Sequence, residues 1–473
     1  MTKYSRILPF FIVLMMISLQ NSNCCTIFIA NDNKNVWVGN NEDDSPTKNY
    51  RLWFTPSKTQ DEYGYIIWAG ILNGLAEVIS NKFPEGGINE HGLFMDAAAL
   101  PEKLLIKKDA SKKNWKGYVI KDVLKKCKTV QEALIFLSQY NLVEQEKAQI
   151  FIADASGDYA IVHANYVIRK EAANFALTNY CLNDDKQHLC WRRNIVTDLL
   201  KDKSQFELAD IKTMLEKSAQ TDYYNRTNFS IAADLKQGTI HLFQRRDFST
   251  DKILNVKEEL QKGERKEDMV NLFPKDISLE LEKILNKKGL SASIEQYKQL
   301  KNTASTGYNF QNNDVVNFAV QLIGQGKISE ATAFLKLTSE FQPENLDAKL
   351  WLGVAQKLGK DDKSSSEIYA QLLQKQPKNY LINLFGNQSN SKVIFHLDHF
   401  EDAKTVFLAG DFTDWKTKAI EMKKENGVWF CSIEIPKGEH QYKFIVEDVW
   451  VTDPKNPLTA VLKKDINSKL IVW

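Results

Sequence analysis

The sequence predicts a multidomain chain, with an α+β layered domain followed by an α-helical repeat segment and then by an all-β sandwich. Short apolar runs pair across turns over residues 25–248, and helical apolar spacing dominates residues 249–390. Short alternating strands with Gly and Pro turns return over residues 391–473. A chain of 473 residues is also too long for one ordinary hydrophobic core, so several domains are expected.

Residues 1–24 have the pattern of a signal peptide. Lys3 and Arg6 precede an uncharged, mostly apolar run from Leu8 to Leu19, which is too short to span a bilayer comfortably. Cleavage after Cys24 would make Cys25 a new N-terminus; alternatively, Cys24 is the lipidated cysteine of a bacterial lipoprotein, although the residues before it form a poor lipobox. We therefore expect an exported protein, either periplasmic or secreted or lipid-anchored, with no transmembrane span in the mature chain.

The charge composition excludes some classes of partner. Lys and Arg total 62 and Asp and Glu total 60, so the net charge gives no reason to expect binding to nucleic acid or to a membrane surface. The sequence contains no metal-ligand cluster, phosphate-binding loop or dinucleotide fingerprint. We therefore expect neither a metal ion nor a cofactor.

Within residues 25–248 the apolar pattern predicts hairpins around helices. Three pairs of β runs are separated by turn residues: 25–30 with 36–39, 150–153 with 159–162, and 229–233 with 239–243. Helical apolar spacing predicts a helix over Ile120–Ser138. Hairpins that alternate with helices favour an α+β layered domain.

Cys25 lies at the start of the first β run, directly after the predicted cleavage site. An N-terminal cysteine carries its own general base, because an α-amino group has a pKa of about 7.7 to 8. The thiolate would attack an amide carbonyl, and the protonated amine would donate to the leaving nitrogen. Position alone does not separate this hypothesis from an ordinary small buried cysteine.

Four further stretches follow Cys25 in order: Gly39–Asp43, Gly86–Leu93, Ala176–Asn179 and Cys190–Asn194. This series resembles the N-terminal-nucleophile (Ntn) hydrolases of the choloylglycine hydrolase, penicillin V acylase and acyl-CoA:6-aminopenicillanic-acid acyltransferase group, over roughly residues 25–243. The resemblance implies an αββα fold. It also implies hydrolysis of a linear, non-peptide C–N amide bond in a small N-acyl substrate, with acyl transfer to another amine as a variant.

The resemblance implies a role for each matching residue. Cys25 matches the nucleophile, Asp43 the carboxylate that holds its amino group, and Asn179 the side-chain donor of the oxyanion hole. Arg192 matches the basic residue near the nucleophile, with Arg193 as the less favoured alternative. Taken singly, Asp43, Asn179 and Arg192 have ordinary readings as a turn acid, a strand-end cap and a surface charge; their order along the chain favours the functional reading.

Two departures from the family pattern bear on the substrate and on the oxyanion hole. Asn40 stands where the bile salt hydrolases carry Arg, which disfavours a conjugated bile salt as the substrate. Ala97–Ala99 stand where related enzymes often carry Asn. A backbone N–H of Ala98 or Ala99 can still bind the oxyanion, because that donation needs no particular side chain.

The middle segment carries a weak helical repeat. Pro343 and Pro377 lie 34 residues apart, which is the tetratricopeptide period. Asp347–Gly353 followed by Glu367–Lys375 resembles that family. Two repeats are few for a stable solenoid, so a helical spacer is favoured over a dedicated peptide-binding groove.

The tail resembles the glycogen-binding type of carbohydrate module, as in the β subunit of AMP-activated protein kinase. The matching stretches are residues 406–415, 427–429, 436–446 and 450–454. The resemblance implies an immunoglobulin-like sandwich that binds α-glucan, with sugar contacts at Trp415, Lys443, Trp450 and Asn467. The alternative is that Trp415 and Trp450 belong to the core of a purely structural sandwich.

Together these patterns predict an exported cysteine amide hydrolase with a carbohydrate-binding-like module. The alternative, from a different class, is a surface-anchored lipoprotein whose inactive hydrolase fold serves as a glycan-binding or interaction module. The N-terminal residue separates the two hypotheses. A free Cys25 supplies the base, whereas lipidation at Cys24 would leave the Cys25 nitrogen in a peptide bond.

Overall fold

The computed structural model describes residues 25–45, 48–71, 84–115, 119–143, 145–180, 182, 185–201, 203–221, 226–303, 307–310, 313–388, 392–462 and 465–473. The predicted signal peptide, including Cys24, lies outside the described residues. Strands and helices are numbered in chain order. Among the helices of the described ranges, none is long and apolar enough to cross a membrane.

Two antiparallel sheets form the centre of the N-terminal part. In spatial order, the first sheet contains β12 (Phe175–Leu177), β1 (Thr26–Asn31), β2 (Val36–Asp44), β13 (Arg226–Asp234), β14 (Thr239–Gln244) and β15 (Asp247–Asn255). The second contains β11 (Tyr166–Arg169), β10 (Tyr159–His163), β9 (Ala148–Ala153), β6 (Phe94–Ala99), β5 (Gly86–Asn89), β4 (Tyr65–Ile71), β3 (Asn49–Thr55) and β16 (Arg265–Asp268). A short parallel pair, β7 (Lys113–Asn114) and β8 (Tyr140–Asn141), lies outside both.

Helices cover the outer face of each sheet. On the second sheet they are α1 (Val119–Lys126) and α2 (Val130–Ser138); on the first they are α3 (Trp191–Lys201) and α4 (Leu208–Ser218). The inner faces bury a shared apolar layer that includes Ile27, Val38 and Phe94. The order helix, sheet, sheet, helix confirms the predicted four-layer arrangement.

The first hairpin forms as predicted, because its turn residues fix the chain reversal. The Asp32 carboxylate accepts hydrogen bonds from the backbone N–H groups of Lys34 and Asn35, and Asn33 has a positive φ of 67°. Asn and Asp stabilise such turns through their short polar side chains. The resulting register places Thr26 opposite Asn41.

The structure differs from the sequence prediction at one helix and at the start of the predicted helical segment. The helix expected over Ile120–Ser138 is two helices, because Thr129 caps the second one by accepting a hydrogen bond from the Glu132 N–H. Beyond residue 248, the expected domain boundary, strands β15 and β16 still belong to the two sheets. Helix α5 (Val256–Gln261) connects these two strands, so the layered fold continues through at least Asp268.

Helices then dominate the chain up to residue 386. They are α6 (Ile277–Lys288), α7 (Leu290–Asn302), α8 (Asp314–Gly324), α9 (Ile328–Phe341), α10 (Leu346–Leu358), α11 (Asp362–Lys375) and α12 (Tyr380–Gly386). The helical character of the middle segment is therefore confirmed. Its assignment as a tetratricopeptide repeat stays a prediction.

The C-terminal part is built of two small sheets. One contains β17 (Lys392–Leu397), β21 (Val428–Glu434) and β20 (Lys423–Glu425). The other contains β19 (Ile420–Glu421), β18 (Val406–Gly410), β22 (Gly438–Val446), β25 (Asp465–Val472) and β24 (Thr459–Leu462), with β23 (Val449–Val451) paired to β22.

The C-terminal sheets share one apolar core with the helical segment. That core includes Phe334 and Phe385 from the helices and Phe395 and Phe444 from the strands. Polar contacts also cross the junction: the Tyr380 hydroxyl donates to the buried Asp453 carboxylate at 2.7 Å. The tail and helices therefore pack as one continuous body.

Candidate active site

Cys25 lies directly before β1, at the end of the apolar layer between the two sheets. The pairing of Thr26 with Asn41 places Cys25 opposite Glu42, and directly opposed residues of antiparallel strands have side chains on the same face. The Cys25 thiol accordingly donates to Glu42 Oε1 at 3.3 Å. Only 3% of Cys25 and 3% of Glu42 are exposed, so this contact is largely removed from solvent.

Arg192 lies in the first turn of α3 and contacts the start of β1 and the end of β2. It does so on the face of the sheet opposite to the Cys25 thiol. Its Nη1 donates to the Cys25 backbone oxygen at 3.1 Å, to Thr26 Oγ1 at 3.0 Å and to Asp43 Oδ2 at 3.2 Å. Its Nη2 donates to Asn179 Oδ1 at 3.3 Å. Arg192 therefore joins the start of β1, the end of β2 and the residues after β12 in one network.

Asp43 is fully buried and holds the other side of this network. Besides Arg192, its carboxylate accepts hydrogen bonds from Gln220 Nε2 at 2.8 Å and from the Thr227 hydroxyl. A buried carboxylate needs such donors and a counter-charge, because desolvation of an isolated charge is costly. Asp43 and Arg192 supply each other's counter-charge.

Asn179 lies just beyond the end of β12 and faces β6. Its Nδ2 donates to the Ala99 carbonyl oxygen at 2.8 Å, while its Oδ1 accepts from Arg192. The Ala97 N–H donates to the Glu85 carbonyl and the Leu100 N–H to the Lys147 carbonyl. Because N–H directions alternate along a strand, the Ala99 N–H points toward the side where β5 has already ended.

Further acidic side chains come from both sheets and from the segment just before β5, and the charge of Asp96 acts on the Cys25 thiol. Asp96 of β6 accepts from Asn40 Nδ2 at 2.9 Å and from Trp68 Nε1 at 3.1 Å. Lys48 bridges Asp44 at 2.6 Å and Glu85 at 2.7 Å. The thiol therefore lies between an acidic inner face and the Asp43–Arg192 pair on the outer face.

This environment raises the pKa of the Cys25 thiol. Burial raises the pKa of Cys25 well above its usual value, and the charges of Glu42, Asp96 and Asp43 raise it further, although a backbone hydrogen bond from Asp43 lowers it. Burial likewise raises the pKa of Glu42 and of Asp96. In this environment Cys25 needs a base before it can act as a nucleophile.

The four catalytic residues expected from the sequence therefore meet in one place. Arg192 is the arginine that contacts the cysteine strand, as expected; its neighbour Arg193 has a buried Nε with no hydrogen-bond partner among the described groups. Sequence reasoning missed Glu42 and Asp96. Glu42 could have been found from the hairpin register, which the turn at residues 31–35 already fixes.

The predicted sugar contacts come from one sheet of the C-terminal part and from the turn after β18. Trp415 and Trp450 have ring centroids 6.1 Å apart, and Trp450 is 40% exposed. Lys443 is half-buried on β22, next to the edge strand that carries Trp450. Asn467 is buried instead, and its amide donates to Gln441 at 3.0 Å.

Two family profiles match the chain. Residues 29–289 match the acyl-coenzyme A:6-aminopenicillanic acid acyl-transferase family. Residues 393–471 match the glycogen recognition site of AMP-activated protein kinase. The two matches fall on the layered N-terminal part and on the C-terminal sheets.

Curated relatives match the C-terminal part. The mouse 5'-AMP-activated protein kinase subunit beta-2 is 39% identical over 72 residues, which are 15% of this chain and 26% of that protein. The rat beta-1 subunit is 34% identical over 65 residues, which are 14% of this chain and 23% of that subunit. The chain thus spans about a quarter of the length of these relatives.

Solved structures resemble the N-terminal part at low identity. A variant of the conjugated bile acid hydrolase from Clostridium perfringens is 13% identical, with 52% of this chain and 96% of that chain covered and a TM-score of 0.40. The penicillin V acylase from Agrobacterium tumefaciens is 14% identical, with 52% and 90% covered and a TM-score of 0.39.

Proposed function

Because the chain belongs to the acyl-coenzyme A:6-aminopenicillanic acid acyl-transferase family, we propose that it cleaves linear amide bonds of small N-acyl substrates with Cys25 as the nucleophile. The observation that carries this proposal is the convergence of Asp43, Asn179 and Arg192 on the backbone and strand ends that hold Cys25. Transfer of the acyl group to an amine, instead of to water, is a variant of the same chemistry.

The base in this proposal is the α-amino group of Cys25, released by cleavage after Cys24. A free α-amine has a pKa of about 7.7 to 8, so it can take the thiol proton near neutral pH. The sulfur then bonds to the amide carbonyl carbon, and the protonated amine donates to the leaving nitrogen as the C–N bond breaks. Water, activated by the same amine, hydrolyses the thioester and frees the thiol.

Asn179 and Ala99 are the proposed oxyanion donors. The Asn179 amide group is oriented by Arg192, whose Nη2 binds Oδ1 and thereby leaves the Nδ2 side facing β6. The Ala99 N–H faces the side of β6 where its partner strand has ended. Two such donors placed where charge develops stabilise the tetrahedral intermediate. In this scheme Arg192 is a positioning residue.

The C-terminal sheets are proposed to bind α-glucan. The family match covers them, and the Trp415–Trp450 pair presents a partly exposed aromatic surface of the kind that stacks on pyranose rings. The helices from α8 to α12 would then act as a spacer between catalytic and glycan-binding parts. Export, with residues 1–24 as the signal peptide, belongs to the same proposal.

The test of the catalytic proposal is covalent capture at Cys25. The mature protein, incubated with an N-acyl p-nitroanilide, should release nitroaniline and gain the acyl mass on the peptide that contains Cys25. Cys25→Ala should abolish both signals, since loss of the nucleophile removes the covalent path. Cys431→Ala, which removes a buried thiol of the C-terminal sheets, is the matched control. Near-normal turnover by a folded Cys25→Ala protein would contradict the proposal.

A further inference from the structure

Five side chains, among them Glu42 beside the Cys25 thiol, carry buried polar atoms that have no hydrogen-bond partner among the described residues. The atoms are Asn40 Oδ1, Glu42 Oε2, the Tyr50 hydroxyl, Glu85 Oε2 and Asp96 Oδ1. We call these residues the unpartnered cluster. Buried polar atoms are nearly always paired in folded proteins, so several orphans at one place require a physical reason.

The cluster is contiguous. Asn40 and Asp96 bind each other through Asn40 Nδ2 and Asp96 Oδ2. Burial is the largest cause of the raised pKa of Glu42, the charges of Glu85 and Asp96 raise it further, and Lys48 lowers it. Burial likewise raises the pKa of Tyr50 most, followed by the charges of Glu85 and Glu42. The unpartnered oxygens thus belong to side chains that influence one another, on the inner face beside the thiol.

Most of these side chains are almost fully buried. Asn40 and Asp96 are 0% exposed, and Glu42 and Tyr50 are each 3% exposed. Asn40 and Tyr50 are neutral, so the orphan atoms are not merely a property of clustered acids. Leaving a buried acceptor without a donor costs about 1 to 3 kcal/mol, and more for a charged group. The fold sustains this cost next to its reactive thiol.

The chemistry of the cluster selects the ligand. Its unpaired atoms are mainly carboxylate and amide oxygens, which accept hydrogen bonds and attract positive charge. Lys48 binds Asp44 and the cluster member Glu85, and its charge lowers the pKa of Glu42. This one positive charge faces four carboxylates, those of Glu42, Asp44, Glu85 and Asp96. Among the described residues, the grouping of acids and histidine close enough to hold a metal ion is Asp198, His399 and Glu401, away from this site. An ammonium group, with several N–H donors and one charge, fits the cluster better.

We propose that the unpartnered cluster is a specificity subsite for substrates whose acyl group carries an ammonium group close to the scissile amide. This inference rests on the proposed function of Cys25. Sγ lies 3.3 Å from Glu42 Oε1. An attacked carbonyl carbon would lie about 3 to 3.5 Å from Sγ, and an ammonium about 3 Å from Glu42. Because the thiol and Glu42 are in contact, a short acyl chain is enough to reach both, and the β-alanyl group is the probe chosen for it.

The test compares three acyl p-nitroanilides of similar shape: β-alanyl, butanoyl and succinyl. They place an ammonium, a methyl or a carboxylate group near the same position. The native protein should prefer β-alanyl over butanoyl by at least about tenfold in kcat/KM, and succinyl should be poorest, because burial makes a matched charge pair favourable and a like charge costly. Glu42→Gln should reduce the ratio of β-alanyl to butanoyl toward one.

Matched variants keep the test decisive. Glu171→Gln removes an exposed carboxyl of the same domain and should keep the native ratio. Asp96→Asn is a second substitution in the cluster. It should lower the ratio of kcat/KM for β-alanyl to that for butanoyl, even where Glu42→Gln fails to fold. Equal losses of kcat/KM for β-alanyl and butanoyl in both cluster variants would instead assign the cluster to the α-amino group of Cys25 and overturn the inference.

The rate of Cys25 acylation, measured by the intact mass of the protein, distinguishes failure of the ammonium subsite from failure of the proposed amide hydrolase. Adducts that form equally fast with all three substrates contradict the ammonium subsite alone and leave the amide hydrolase standing. The absence of an adduct with every substrate contradicts both. A β-alanyl adduct that forms fastest, with the preference lost in Glu42→Gln, supports both.

Discussion

Replacement of Arg192 by Met tests the network behind the nucleophile. Arg192 has a side chain only 6% exposed and Asp43 is at 0%, so the pair lies in a low-dielectric site. Met keeps much of the length but removes every donor. Asp43 would keep Gln220 and Thr227 as donors but lose its counter-charge.

The expected cost is large. Removing one partner of a buried ion pair typically costs about 3 to 5 kcal/mol, because an uncompensated charge stays buried. The Cys25 backbone oxygen, Thr26 Oγ1 and Asn179 Oδ1 also lose a donor, so the upper part of that range is expected for Arg192→Met. Asp43→Asn in the same protein should recover part of the loss, since it removes the orphaned charge.

Urea unfolding of the native protein, both single variants and the double variant measures the coupling. Arg193→Met is the control, because its side chain lies outside the network and burial lowers its pKa. Removing that charge should change the free energy of unfolding by less than about 1 kcal/mol. A loss below about 1 kcal/mol for Arg192→Met, or single-variant losses that simply add in the double variant, would refute the reasoning.

Two further predictions concern the other sites. Asn179→Ala should lower turnover about 10²- to 10³-fold with a smaller change in substrate affinity, as for one lost oxyanion donor; steady-state and binding measurements that show only weaker affinity would place Asn179 in the substrate pocket instead. Trp450→Ala should weaken the binding of maltooligosaccharides measured by calorimetry. It should lower the free energy of unfolding by less than the about 3 to 5 kcal/mol typical of a buried aromatic cut to Ala, because Trp450 is 40% exposed. The exposed Ile394→Ala on the opposite sheet is its control, and a large loss of stability without a loss of binding would make Trp450 a core residue.

The hairpins of the layered fold could be predicted because each combines apolar alternation with turn chemistry. The edge strands could not. Strand β15 buries only two of its nine residues, and β16 consists of Arg265, Lys266, Glu267 and Asp268. Charged edge strands lack the alternation that marks a half-buried strand, and such charges protect a sheet edge from pairing with other chains. The charged sequence after residue 248 therefore predicts helices, and the predicted boundary at residue 248 lies inside β15.

The candidate site divides in the same way. Cys25, Asp43, Asn179 and Arg192 could be predicted from short motifs that resemble the family, because each lies at the end of a strand or in the first turn of a helix. Asp96 could not be predicted, because its contact with Asn40 depends on how the second sheet packs on the first. Arg192 is not an exposed surface charge, because it is buried and paired with Asp43. The catalytic roles of both residues stay predictions.

The C-terminal part also bears on the catalytic network. Helix α3 carries Arg192, and two residues later the Asn194 amide donates to the His399 carbonyl oxygen at 2.7 Å. His188, just before α3, lies 3.1 Å from Glu447. His399 and Glu447 belong to the C-terminal sheets and their loops, so the tail holds the helix whose arginine orients Asn179. This tail therefore supports the position of Arg192, and its core also packs against Leu189 and Trp191 at the start of α3. Loss of the tail is expected to disturb the network around Cys25 even if the tail binds no glycan.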